Sequence, residues 1–184
     1  QLQALFRLEG GPQLSEEDGA YCRARARLPL DQFPKALAAT ARSADRLVQG
    51  LSWLRGRPLK VVDGSALTLL ADPPKNRQAY PPIQCPQPPG FPMMRIVVFF
   101  SLVSGAILAV AQGSLAVSEL SLWHRLTSHL AKGDILLGDR GFGCYPVIAL
   151  LQHVLGVDFI GRTTRRIDGR RRLRSLGRND WLIQ

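Results

Sequence analysis

Twice in this chain a short apolar run ends on an aspartate with glycine close behind it. The first is Leu59-Lys60-Val61-Val62-Asp63-Gly64-Ser65, and the second is Gly133-Asp134-Ile135-Leu136-Leu137-Gly138-Asp139-Arg140-Gly141-Phe142. Aliphatic runs of this length, bounded by glycine, have the pattern of short buried strands. Each strand delivers one carboxylate to the rim of a sheet, and two such strands can set their acids side by side. Asp-Gly is also a common turn dipeptide, so Asp63-Gly64 alone carries little weight. The repetition carries more.

The surrounding segments predict the rest of a mixed sheet. Ile96 to Ala111 is the most apolar part of the chain, but it falls short of the roughly 20 residues a membrane helix needs. Ser104-Gly105 also interrupts it. Ile96–Phe100 on one side and Ile107, Leu108 and Val110 on the other fit a buried hairpin turning at Ser104-Gly105. Ser118 caps a helix to about Leu130, with Leu122, Leu126 and Leu130 along one face, and Gly133 ends it. Tyr145 to Leu155 reads as a further helix stopped by Gly156, and Val157 to Gly161 as a short strand. An antiparallel start followed by helix–strand alternation gives an α/β fold, a mixed sheet with helices on its faces.

Upstream, Ser15 with Asp18 opens a helix through Arg27. Asp31 caps a second helix with Pro34 in its first turn; Phe33, Leu37, Ala41, Ala44 and Val48 form its apolar face, and Gly50 stops it. The pair reads as helices packing on the following domain and not as a helix-turn-helix. No glycine sits in the turn, and Arg23, Arg25 and Arg27 do not mark one face. The prolines between Pro73 and Pro92 predict an extended loop without regular structure.

Charge narrows the partners. The 184 residues carry a net charge of +10, which suits a polyanion. Arg162, Arg165, Arg166, Arg170, Arg171, Arg172, Arg174 and Arg178 stand against only Asp168 and Asp180, with Asp168-Gly169 a candidate turn between two basic strands. Arginine at this density favours a phosphate-tracking surface over a merely solvated one. Asn76, Arg77, Gln78 and Tyr80 are read either as DNA contacts or as residues that pin the proline-rich loop. Cys22, Cys85 and Cys144 are far apart, which argues against a disulfide framework or zinc site and fits a reducing cytosol. No leader peptide is visible, and Gln1 in place of Met reads as a fragment or an incomplete frame.

Paired acids beside a polyanion point to divalent metal. Two close carboxylates repel, and a cation inverts that cost. Mg²⁺ takes oxygen ligands, keeps several waters, and binds through one or two carboxylates plus a substrate phosphate. Two such ions about 3.5–4 Å apart clamp attacking and leaving oxygens. His124, His129 and His153 share no face, and neither Ser65 nor Ser114 has a histidine at informative spacing. Zinc and Ser–His hydrolase chemistry are set aside on that basis.

The same residues resemble a known family. Leu59–Ser65 is similar to the first-aspartate motif of insertion-sequence-4 type DNA transposases, and Gly133–Phe142 to their second-aspartate motif. Asn76-Arg77-Gln78-Ala79-Tyr80-Pro81 and Gly90-Phe91-Pro92 resemble the linker between them, and Tyr21-Cys22-Arg23-Ala24-Arg25 the pre-catalytic segment. The resemblance covers the chain from about Ser15 onward. It implies a ribonuclease-H-like core over residues 55–161, preceded by a helical segment over 1–54. The start of a basic β-rich insertion follows over 162–184.

The resemblance further implies that Asp63 and Asp139 are catalytic and metal-binding, the first two acids of a DDE triad, with Mg²⁺ (or Mn²⁺) as cofactor. The implied reaction is phosphoryl transfer in DNA transposition by a bacterial mobile element. The implied partner is DNA, both transposon ends and target, met by Arg140, Arg162, Arg165, Arg166, Arg170, Arg171, Arg172 and Arg174. A homodimer of the full-length protein, a cytoplasmic and nucleoid-associated location and no membrane contact go with it. The family's third acid lies in a Tyr–Arg–Glu–Lys signature that does not occur here, and Glu119 reads instead as a favourable charge at a helix N-terminus. The chain is therefore expected to be inactive by itself. A non-catalytic nucleic-acid-binding module and a metal-dependent nuclease of the same fold are the alternatives.

Overall fold

Pairing around the first aspartate strand builds the sheet outward in both directions. The computed structural model describes residues 19–48, 54, 56–69, 74–82, 90–162, 172–178 and 180–183. In chain order these form α1 (Gly19–Ala26), α2 (Gln32–Leu47), β1 (Leu59–Thr68), α3 (Pro74–Ala79), β2 (Met93–Ser101), β3 (Ile107–Ser114) and α4 (Glu119–Leu126). They continue with β4 (Ile135–Gly138), α5 (Tyr145–Ala149), β5 (Asp158–Gly161), β6 (Arg172–Gly177) and β7 (Asp180–Ile183). A division into two compact units falls between Ala36 and Leu37.

Five strands form one mixed sheet in the order β3-β2-β1-β4-β5. β1–β2 and β2–β3 are antiparallel, while β1–β4 and β4–β5 are parallel. The apolar stretch after Pro92 is the expected hairpin, turning through Gly105 at φ 69°, a backbone conformation that suits glycine. The parallel pairs require crossovers. The segment from α4 into a 3₁₀ turn (Thr127–His129) supplies one and α5 the other. Ser118 Oγ accepts the Ser121 amide at 3.1 Å and caps α4 as anticipated.

Alternation along each strand separates two faces. On one, Val62, Val97, Phe99, Ala109, Ala111 and Leu136 are buried under Leu122, Trp123 and Leu126 of α4, together with Phe142, Val147, Leu151 and Val157. The opposite face carries Val61, Phe100 and Leu137. At the end of the sheet where β1 begins, Asp45 and Val48 of the α2 segment line a cavity of about 220 Å³ with Leu59, Ser101, Val103 and Leu108. Asp45 accepts a hydrogen bond from Ser104 Oγ at 2.6 Å, tying α2 to the hairpin turn.

Polar ties pin the other strands at this same end. Lys60 Nζ lies 2.6 Å from Asp134 Oδ2 and donates to the His129 carbonyl at 2.7 Å. Asp134 Oδ2 also accepts the Ala131 amide at 2.7 Å. Arg57 donates to the carbonyls of Gly133 and Asp134 and pairs with Asp158 at 2.6 Å. One arginine thereby ties the chain entering β1 to the starts of β4 and β5.

Several expectations change. β1 does not stop at Asp63, because the ladder with β2 continues from Asp63↔Val98 to Thr68↔Met93. Asp63-Gly64 is therefore mid-strand and not a turn; Ser65–Thr68 are strand-compatible and have a partner waiting in β2. The proline-rich stretch is not wholly irregular, since α3 forms at Pro74–Ala79. Pro74 takes the first helical position, where a missing N–H costs nothing, and the five residues after it contain no proline. Asp31 gives its carboxylate to Lys35 and Gln32 side chains.

On α2, Ala41 is buried whereas Phe33 is exposed. The helix from Tyr145 changes to π geometry over Leu150–Leu155 before Gly156 ends it in a left-handed conformation. The basic tail makes a separate hairpin, β6–β7, turning near Arg178. Ser15, Asp18, Gly50 and the Asp168-Gly169 turn lie outside the described residues. Among the described residues no helix is long and apolar enough to cross a membrane.

Gly138 sets the tightest packing in β4. A Cβ there would come 2.9 Å from the Phe159 ring and 3.1 Å from Val62. Gly138→Ala is expected to cost about 1–3 kcal/mol through overpacking. Urea unfolding followed by circular dichroism measures it, and an unchanged midpoint would contradict this packing.

Candidate functional site

The β1–β4 register places Val62 opposite Gly138. The next residue on each chain is an aspartate. Asp63 and Asp139 therefore reach the same level of neighbouring strands, and both line one open cavity of about 570 Å³. Val61, Phe100, Leu137 and Ile160 form its apolar floor, and Arg162, just past the end of β5, completes the rim.

Each acid is oriented by the backbone beside it. Asp63 Oδ1 accepts the Gly64 amide at 2.9 Å, and Asp139 Oδ1 accepts the Gly141 amide at 2.8 Å. Among the described residues neither Oδ2 has a hydrogen-bond or ion-pair partner. Both side chains are exposed, so water keeps the unpaired charges tolerable.

A hard divalent cation needs only one or two carboxylates and fills its shell with water and phosphate oxygens. The two aspartates fit that part of a metal site. No third His, Cys, Asp or Glu joins them among the described residues. Glu119 does not, although its carboxylate lies close to β1: a Cβ on Gly64 would lie 2.9 Å from Glu119 Cδ. Gly64 points to the face opposite Asp63, so β1 stands between the two acids. The space beside Gly64 is taken by Glu119, and a Cβ on Gly141 would meet Asp139 Oδ1 at 3.1 Å.

No protein-family profile matches the chain, and neither a curated protein nor a solved structure matches it. The site must be read from its own geometry.

The anticipated arginines are not gathered in one place. Arg162 reaches the cavity rim, and Arg140 is exposed in the turn directly after Asp139. Arg172 and Arg174 sit on β6, where Arg172 stacks 4.6 Å above the Trp181 ring. Arg165, Arg166, Arg170 and Arg171 lie outside the described residues. His124, His129 and His153 are exposed. Asn76, Arg77 and Gln78 lie on α3 with Tyr80 just after it.

Sequence reasoning overlooked Lys60 and Asp134. The signal was present: a lysine inside an otherwise aliphatic strand requires a partner, and an aspartate stands just before the second aliphatic run.

Mn²⁺ is expected to raise the melting midpoint of the chain. The stabilisation would reach about 2.7 kcal/mol at a hundredfold excess over Kd. Asp63→Asn and Asp139→Asn should each abolish the shift, and a shift that survives both substitutions would place the cation elsewhere.

Proposed function

We propose that this chain is a portion of a DNA transposase catalytic core of the insertion-sequence-4 type, built on a ribonuclease-H-like sheet and serving metal-dependent phosphoryl transfer. One observation carries the reading: Asp63 on β1 and Asp139, directly after the adjacent parallel strand β4, open onto a single cavity rimmed by an arginine. The strand order β3-β2-β1-β4-β5, with β2 antiparallel, is compatible with that fold. The net charge of +10 supports a polyanionic substrate.

In this reading the Gly64 and Gly141 amides hold one oxygen of each acid and leave the other for a cation. Bound Mg²⁺ or Mn²⁺ would supply Lewis-acid charge at the reacting phosphate. Asp63 and Asp139 fix where that charge sits. Arg162 and Arg140 attract the DNA backbone toward it, and the arginines of β6 extend the contact along the duplex. With two acids and no third among the described residues, the chain by itself is expected to bind DNA and cation without completing strand transfer.

Two measurements test this. Duplex DNA binding should weaken steeply with salt, log K falling by about 0.9 per log unit of salt for each phosphate neutralised; a flat response would remove the arginine surface from the argument. Asp63→Asn and Asp139→Asn should keep DNA affinity at fixed salt in the absence of metal. Each should abolish Mn²⁺-dependent cleavage or joining in any longer protein that contains this chain. Metal-dependent activity that persists in both variants would overturn the proposal.

A further inference from the structure

Asp63 and Asp139 line one cavity because β4 lies in one particular register against β1, and the aliphatic pattern of β4 does not dictate that register. Ile135, Leu136 and Leu137 are consecutive aliphatic residues. A strand without alternation is weakly specified, because sliding it still presents apolar side chains to both faces. The register must be set by something else. Gly138, hemmed in by Phe159 and Val62, contributes a steric stop near the aspartates.

At the opposite end of β1 lies a charge pair. Lys60 Nζ sits 2.6 Å from Asp134 Oδ2, with side chains 16% and 4% exposed. Asp134 immediately precedes β4, and Lys60 faces Leu136 across the ladder. Among the described residues Asp134 Oδ2 accepts from Lys60 Nζ and the Ala131 amide. Sliding β4 by one residue turns Asp134 to the other face of the sheet. Sliding it by two moves it about 6–7 Å along the strand. Either slip leaves a buried charge alone.

We propose that Lys60 and Asp134 are positioning residues: their buried ion pair selects the β1–β4 register that sets Asp139 beside Asp63. Arg57 holds the Gly133 and Asp134 carbonyls and reinforces the same alignment. Buried ion pairs often add little net stability over an apolar replacement, and their best-attested use is to fix a register. The effect on the site is therefore separable from the effect on folding. The inference rests on the reading of the two aspartates as a cation site.

The test compares the full chain with Lys60→Met/Asp134→Leu, which replaces the pair by apolar side chains, and with Lys60→Arg, which keeps it. Mn²⁺ affinity is measured by calorimetry on folded protein, well below the melting midpoint. The β1–β4 register is read separately, as the Val62–Gly138 backbone contact in nuclear Overhauser spectra. The double variant is expected to melt at or above the wild-type midpoint, to lose that contact, and to bind Mn²⁺ at least about tenfold more weakly, as supporting residues around metal sites typically do. Lys60→Arg should retain both contact and affinity.

Should the double variant not fold, Lys60→Met/Asp134→Asn serves in its place, since it keeps the shape of the Asp134 side chain and leaves no buried charge unpaired; the same two losses are expected. A folded variant lacking the pair that keeps the Val62–Gly138 contact and wild-type affinity would overturn the proposal, leaving Gly138 as the sufficient pin. Wild-type protein that binds no Mn²⁺ would instead sink the cation-site reading. The register contact alone would then decide whether the pair positions β4.

Discussion

The parallel pairing of β1 with β4 is the constraint on which the rest depends. It spans only four residue pairs, from Leu59↔Ile135 to Val62↔Gly138, and parallel pairing is slightly weaker per residue than antiparallel. β1 is secured on its other edge by a nine-pair antiparallel ladder with β2. The hairpin side of the sheet therefore presents a fixed edge, and β4 must find its place on it. Apolar burial draws β4 to the sheet without saying where to stop. Contacts with direction and charge supply that information, and leaving one member of a buried pair without the other costs about 3–5 kcal/mol.

The sheet divides its work between its faces. The face under α4 and α5 is dry and well filled; Val97, Phe99, Leu122, Leu136 and Leu151 are completely or almost completely buried there. Gly64 belongs to this face, where it admits the Glu119 carboxylate. The other face keeps its apolar floor but opens to solvent around Asp63 and Asp139. Two carboxylates without cationic partners could not sit in the covered layer, because charge there must be compensated. At the solvent end of the open face they can. Stability is thus drawn from one side of β1 and exposed acids are presented on the other, and the strict alternation of a strand lets consecutive residues, Val62 and Asp63, serve both.

Much of this was legible because the relevant signals are local. Aliphatic runs ending in Asp63 and Asp139, the glycine break at Gly105, the cap at Ser118 and the stop at Gly156 each reflect a short-range preference that tertiary packing reinforced. The misreadings came from competing local rules. The apolar run Leu59–Asp63 reads as ending at the acid, but β2 offered a longer ladder, to Thr68. The prolines from Pro73 onward suggested no structure, yet proline at a first helical turn is harmless and α3 formed behind it. The tie between Lys60 and Asp134 joins residues 74 apart in sequence, so no window along the chain shows it. The packing of Glu119 onto Gly64 is equally invisible until the strand and the helix are placed together.

Electrostatics gives the proposed reading its internal logic. A net charge of +10 favours a polyanion in general. Asp63 and Asp139 set two like negative charges at the proposed site. At physiological salt the Debye length is about 8 Å, so arginines on the β6–β7 hairpin cannot neutralise the two acids unless they come that close. Arg162 lines the cavity but makes no ion pair with either aspartate within 4.0 Å. A phosphate brought to the cavity by the general field would then meet two like charges at the last step. A divalent cation reverses that repulsion because it binds carboxylate and phosphate oxygens together. Cation and DNA would therefore each tighten the binding of the other, and linkage requires the two enhancements to be equal.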